Sequence, residues 1–171
     1  METGLDLGTL AALGLLVTGG TWLAWPDTPA EAKVTLAQPM PQALERLRGE
    51  ERVVEGTGMG SLRIAAAGTD GDALLIGVKR AGDPKTVICR VTIAPASPET
   101  SSALVDCTQK QLDDRPVRRV AVRALDLIVS EHVAATVHDR AYDIDAVGTR
   151  LIALAAMNPG AMADAARPPR D

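Results

Sequence analysis

The stretch KTVICRVTIAPASPETSSALVDCT, residues 85–108, decides how the rest of the chain is read. Val87, Cys89, Val91 and Ile93 alternate with Thr86, Ile88, Arg90 and Thr92. After the turn, Ala103, Val105 and Cys107 alternate with Ser102, Leu104, Asp106 and Thr108. Alternation of period two marks half-buried strands, so the stretch predicts a hairpin of strands 85–93 and 102–108. Folded about Pro98, it sets Val91 against Val105, Ile93 against Ala103 and Cys89 against Cys107. The only two cysteines of the chain then meet on the apolar face, at a separation that a disulfide spans. Two cysteines fit either an oxidised pair or free core thiols; the cross-strand register favours the pair, which persists in oxidising compartments and goes with a domain outside the cytoplasm.

Working outward, residues 61–67 alternate with Leu62, Ile64 and Ala66 on one side, and Gly68-Thr69-Asp70-Gly71 reads as a turn. Residues 73–80 alternate again, with Leu74, Ile76 and Val78 inside, before a turn at Ala81-Gly82-Asp83-Pro84. The expectation is a four-stranded antiparallel meander with one apolar face, which demands a cover. Further upstream, Lys33 to Leu36 is a candidate first strand. Pro39-Met40-Pro41 opens a helix with Leu44 and Leu47 on one face. Gly56-Thr57-Gly58-Met59-Gly60 lacks the spacing of a phosphate-binding loop and reads as a flexible turn or a strand bulge.

The cover lies downstream. Asp113 and Asp114 supply negative charge at a helix start, Pro116 fits a first turn, and no Gly or further Pro interrupts before Arg140. Val117, Val120, Ala121, Ala124, Leu127, Ile128 and Ala135 form an apolar face that Val129 and Ala134 widen, with Thr136 beside it. Such a helix is about 40 Å long. Asp143 or Asp145 caps a last helix carrying Val147, Leu151, Ile152, Leu154 and Ala155, and Pro159-Gly160 ends it. Fold class is therefore α+β: an antiparallel meander sheet covered by a long C-terminal helix, preceded by an N-terminal transmembrane helix.

That last element rests on residues 7–25, an uncharged run with Trp22 and Trp25 at its end and Pro26 after it. It is long enough to cross a bilayer core and carries indoles where an interface would be. Ala30-Glu31-Ala32 resembles a signal-peptidase site, so a cleaved signal peptide is the competing reading; Glu2 and Asp6, with no basic residue before the run, favour the anchor. The chain divides into an anchor or signal peptide (1–26), a linker (27–32), an extracytoplasmic α+β domain (33–157) and an Ala/Pro/Arg-rich disordered tail (158–171). Residues 7–25 would partner a bilayer, placing a single-pass protein in the inner membrane with its domain in the periplasm; after cleavage it would be secreted or periplasmic.

Hydrophobic residues make up 46% of the 171 positions and aromatics 2%, with no Phe, so the core must be Val, Leu, Ile, Ala and Met. A net charge of −4 argues against a dedicated nucleic-acid binder. Strand, helix, meander and long C-terminal helix, over Val34 to about Tyr142, resemble in order the START-like helix-grip superfamily, with fewer strands and a shorter first helix. There a curved antiparallel sheet wraps a long helix and leaves an apolar cavity between them. The resemblance implies a module for lipids or other hydrophobic molecules, with Leu74, Ile76, Val78, Val91, Val105, Leu127 and Ile128 between sheet and helix.

Chemistry is sparse. His132 and His138 fall on different helix faces, outside any metal-binding frame, and each reads as a solvated or capping residue. Cys89 and Cys107 are far from the Cys-x-x-Cys spacing of redox enzymes. Arg115, Arg118, Arg119 and Arg123 read as a solvated helix face. No catalytic residue, metal site or cofactor is predicted. The function expected is that of a non-enzymatic envelope protein that binds a protein partner or a hydrophobic ligand, with a START-like carrier as the alternative.

Overall fold

The structure, a computed structural model, describes residues 32–107 and 116–166. The expected anchor, the Asp113–Asp114 helix start, Arg115 and the end of the tail lie outside them. Among the described residues no helix is long and apolar enough to cross a membrane.

Six antiparallel strands make one curled sheet in the order β1-β6-β5-β4-β3-β2. They are β1 (Ala32–Leu36), β2 (Glu51–Val54), β3 (Leu62–Asp70), β4 (Ala73–Arg80), β5 (Thr86–Pro95) and β6 (Ser101–Asp106). The expected meander is β3 to β6, and the sheet extends it at both edges. β1 does form, and pairs with β6, with Val34 opposite Ala103. β2 is an addition that the sequence did not announce, because Glu51-Arg52-Val53-Val54 has no alternation to read. The turn expected at Gly68–Gly71 is shorter than supposed: β3 runs on to Asp70. The register shifts between Ala66 and Gly68, so one extra residue is absorbed as a bulge inside the strand.

The hairpin register is the expected one, Val91 opposite Val105 and Ile93 opposite Ala103. Cys89 and Cys107 stand beside each other, a disulfide-compatible pair with Cα atoms 4.0 Å apart. Ile76 lies opposite Cys89 on β4, so the pair sits in the middle of the inner face. Because β1 and β2 occupy opposite edges, the chain between them must cross that face. Helix α1 (Met40–Gly49) makes the crossing and buries Ala43 and Leu47.

Helix α2 (Pro116–Val137) covers the same face. Its 22 residues span about 33 Å, less than expected, because the helix stops at His138. Asp139 takes a positive φ of 52°. Its N–H donates to Thr136, and the Arg140 N–H donates to Ala135 at 2.9 Å. This is the paired closure of a Schellman turn. The chain then folds back: Arg140 and the Asp143 N–H both bond the Glu131 carboxylate. Asp143 caps α3 (Ile144–Ala156) by accepting from the Ala146 N–H at 2.9 Å. Pro159 and Gly160 are the first two residues of a further helix, α4 (Pro159–Ala165), within the segment expected to be a tail.

Helix α2 is therefore not an outer lid. One side packs on the sheet, where Ile128, Val129, Val133 and Val137 join the main core. Another side meets α3 and α4 through Val120, Ala124, Leu154 and Ala161. Ala121, expected on the apolar face, is exposed. From Ile128 to Val137 the helix is covered almost all round.

Replacing Cys89 with Ser should lower unfolding free energy by about 2–4 kcal/mol if the pair is bonded. Thermal melts with and without reductant check this; equal midpoints for the parent protein contradict it.

Candidate functional site

The inner face of the sheet is apolar except at Ser101, whose hydroxyl donates to the Gln38 carbonyl at 2.8 Å, and at its β2 edge. Arg52 and Val54 alternate with the exposed Glu51 and Val53, and Arg52 stands opposite the buried Ile64. An arginine is thus aimed beneath the covering helix, with its side chain only 20% exposed. One edge of its guanidinium donates to Glu50 at 3.0 Å.

Facing this edge is His132 of α2, which is completely buried. This corrects the expectation of a solvated or capping histidine. The reason is spacing: His132 follows Ile128 by one helical turn, so it shares the apolar face and not the solvated one. Neither ring nitrogen has a hydrogen-bond partner, and the hydroxyls of Ser130 and Thr136 are likewise buried and unpartnered. An unmade hydrogen bond in such a place costs about 1–3 kcal/mol. Three such side chains within seven residues of one helix is a concentration that packing alone does not call for.

Burial holds the His132 imidazole down to about 4, helped by the Arg52 charge and opposed by that of Glu50. At neutral pH the ring is therefore uncharged, with one donor and one acceptor nitrogen. Tyr142, in the connector before α3, closes the group; its hydroxyl donates to the Ile128 carbonyl at 3.3 Å, and burial pushes it well above its ordinary value. For Glu131, burial works upward, but the Arg140 guanidinium and Asp143 amide bring the carboxyl below its usual range. That pair anchors the connector that carries Tyr142.

A second titrating group sits at the cysteine pair. The Asp126 carboxylate of α2 accepts from the Cys107 N–H at 2.8 Å. Burial, against that hydrogen bond, raises it to about 6; nearby Asp106 raises it further and Arg123 lowers it. It ties the helix to the end of β6.

Of the lining residues expected from the sequence, Leu74, Ile76, Val78, Val91, Val105 and Ile128 come together in the main core, each no more than 3% exposed. Leu127 does not join them. It packs with Leu154 and Ala161 on the other side of α2. His138 is exposed at the helix end, with its ring 3.4 Å from the Thr35 carbonyl. Arg119 and Arg123 are exposed, and Arg118 is half-buried. Among the described residues no three His, Cys, Asp or Glu side chains gather as a metal site. Sequence reasoning missed Arg52, His132 and Tyr142. The available signal was Ser130, His132 and Thr136 in an otherwise Val/Ala-rich helix segment. Compared with known proteins, the chain matches no family model, no curated protein and no solved structure.

His132 and Asp126 pull stability in opposite directions with pH. Between pH 6.5 and about 4 the unfolded chain protonates the histidine and the folded chain does not, so acid destabilises by roughly 3 kcal/mol through this ring. Asp126 takes up its proton more readily when folded, from about 6 against an ordinary 3.8, so acid stabilises through it. Asp126→Asn removes that offset. Denaturant titrations from pH 7 to 4 should show the variant losing more stability than the parent; parallel curves contradict the assignment.

Proposed function

We propose that the chain is a non-enzymatic, membrane-tethered binding module of the cell envelope, whose α+β domain takes up a hydrophobic ligand between its curled sheet and α2. The observation that carries this reading is the stretch of α2 from Ile128 to Val137, enclosed by apolar side chains yet containing buried polar atoms without partners. A covering helix that served only to fill a core has no use for them. The START-like resemblance supports the same reading, because the sheet curls, its first strand returns to its last, and a long helix lies across the inner face.

The location is proposed on two grounds. Cys89 and Cys107 are both fully buried and paired across β5 and β6, which suits an oxidising compartment. Residues 7–25 have the length and end residues of a signal-anchor. The module is placed in the inner membrane facing the periplasm, where its cargo would be loaded beside the bilayer.

Native mass spectrometry after mild extraction tests the binding: a co-purifying lipid or other apolar small molecule is expected. A ligand-free mass, or one explained only by a bound protein, overturns it. Replacing Leu13 and Leu16 with Lys should move the protein from the membrane to the soluble fraction, since charge at bilayer depth is costly; unchanged fractionation contradicts the anchor.

A further inference from the structure

The proposed cargo has a chemistry that the interior itself specifies, an inference that rests on the binding reading above. We propose that the ligand is an aliphatic carboxylate, its headgroup received by His132 and Thr136 with Arg52 supplying the opposing charge, and its chain directed toward the Met59 loop.

The argument begins with the donors. His132 and Thr136 are four residues apart on α2, so their side chains neighbour one another on one face. The ring is fully buried and the threonine nearly so, and neither the ring nitrogens nor the hydroxyl have a partner. Whichever tautomer it takes, a neutral imidazole presents one N–H. The ring and the hydroxyl therefore offer two donors to an acceptor that the protein does not provide. A carboxylate is the smallest group with two acceptor oxygens on one carbon. Its charge requires compensation away from water. Arg52 reaches inward from β2 for this purpose, and Glu50 engages only one edge of its guanidinium in the contact described. A guanidinium binds carboxylates with a planar fork and more strongly than neutral donors do. A cationic head would meet the same arginine as repulsion, and an alcohol would leave its charge unused.

The apolar part of the ligand is directed toward the loop that follows β2. β2 leads directly into the segment Gly56–Gly60, where Gly56, Gly58 and Gly60 all take positive φ, a conformation that costs glycine little. Met59 at its centre packs against both hydrophobic clusters, the one beneath α2 and the one between α2, α3 and α4. A methionine side chain is flexible and apolar, so it fills such a gap and can be displaced from it. The loop rests on the start of α3, where Ile144 follows Tyr142 by two residues. The arginine and the methionine thus lie on one short stretch of chain, residues 52–59, next to the helix that carries the buried ring.

The chain has two histidines, and this makes the test direct. The full chain, ring-labelled at histidine and held in a neutral maltoside detergent, is titrated with dodecanoate and separately with dodecanol while the imidazole carbon–proton resonances are followed. Dodecanoate is expected to shift His132 and leave exposed His138 in place. Arg52→Gln should raise the half-saturating dodecanoate concentration by about tenfold or more, and Thr136→Val by a smaller factor, while dodecanol titrations stay unchanged in both. Arg52 lies at a sheet edge and is partly exposed, so this variant tests the head contact without emptying the core. Equal binding of dodecanoate by Arg52→Gln and parent, or an unmoved His132 with either probe retained in native mass spectra, overturns the carboxylate assignment and leaves hydrophobic binding intact. An unmoved His132 with neither probe retained overturns both.

Discussion

A slip of one residue between β5 and β6 would turn Cys89, Val91 and Ile93 to the outside and bring Arg90 and Thr92 beneath the helix. The register of this hairpin is the constraint on which the domain depends, because side chains alternate between faces with period two. Val91 opposite Val105 and Ile93 opposite Ala103 fix it by apolar contact, and the cysteine pair locks it where β6 ends against the body of β5. Ile76 and Leu74 extend the same rows onto β4. The Asp126 carboxylate, bonded to the Cys107 N–H, then sets where α2 begins its passage over the sheet.

From that starting point the helix runs into an enclosure. Sheet, α1, α3 and the connector before α3 all close on its second half, and the Schellman turn at Asp139 ends it where the enclosure ends. Burial on nearly all sides usually selects an all-apolar helix. This one keeps Ser130, His132 and Thr136 there at a cost in unmade hydrogen bonds. The outer face follows ordinary rules by contrast. Arg63 pairs with Glu51 and Arg90 with Asp70, all well exposed, and such pairs contribute little to stability. Ser130, His132 and Thr136, on the inside, have no such partners.

The sequence was legible where periodicity is clean. β4, β5 and β6, the cysteine partnership, the long helix and a last helix capped at Asp143 or Asp145 all follow from spacing and end residues. β2 escaped because it is four residues long and gains its place by pairing with β3, a non-local contact with no local signature. Leu127 was assigned to the sheet side because an apolar helix face was taken to have one partner. With α3 and α4 packed behind it, α2 has two, and Leu127 belongs to the second. His132 was misread for a related reason: residue type was allowed to outweigh its position one turn after Ile128.

The pairing of β5 with β6 can be examined without perturbing the protein. Protein isolated from its own host under thiol-blocking conditions, digested without reduction and analysed by mass spectrometry, should yield one cross-linked peptide joining Cys89 to Cys107 and no blocked thiol at either position. Both cysteines recovered as blocked thiols would contradict the bonded hairpin and, with it, the oxidising location.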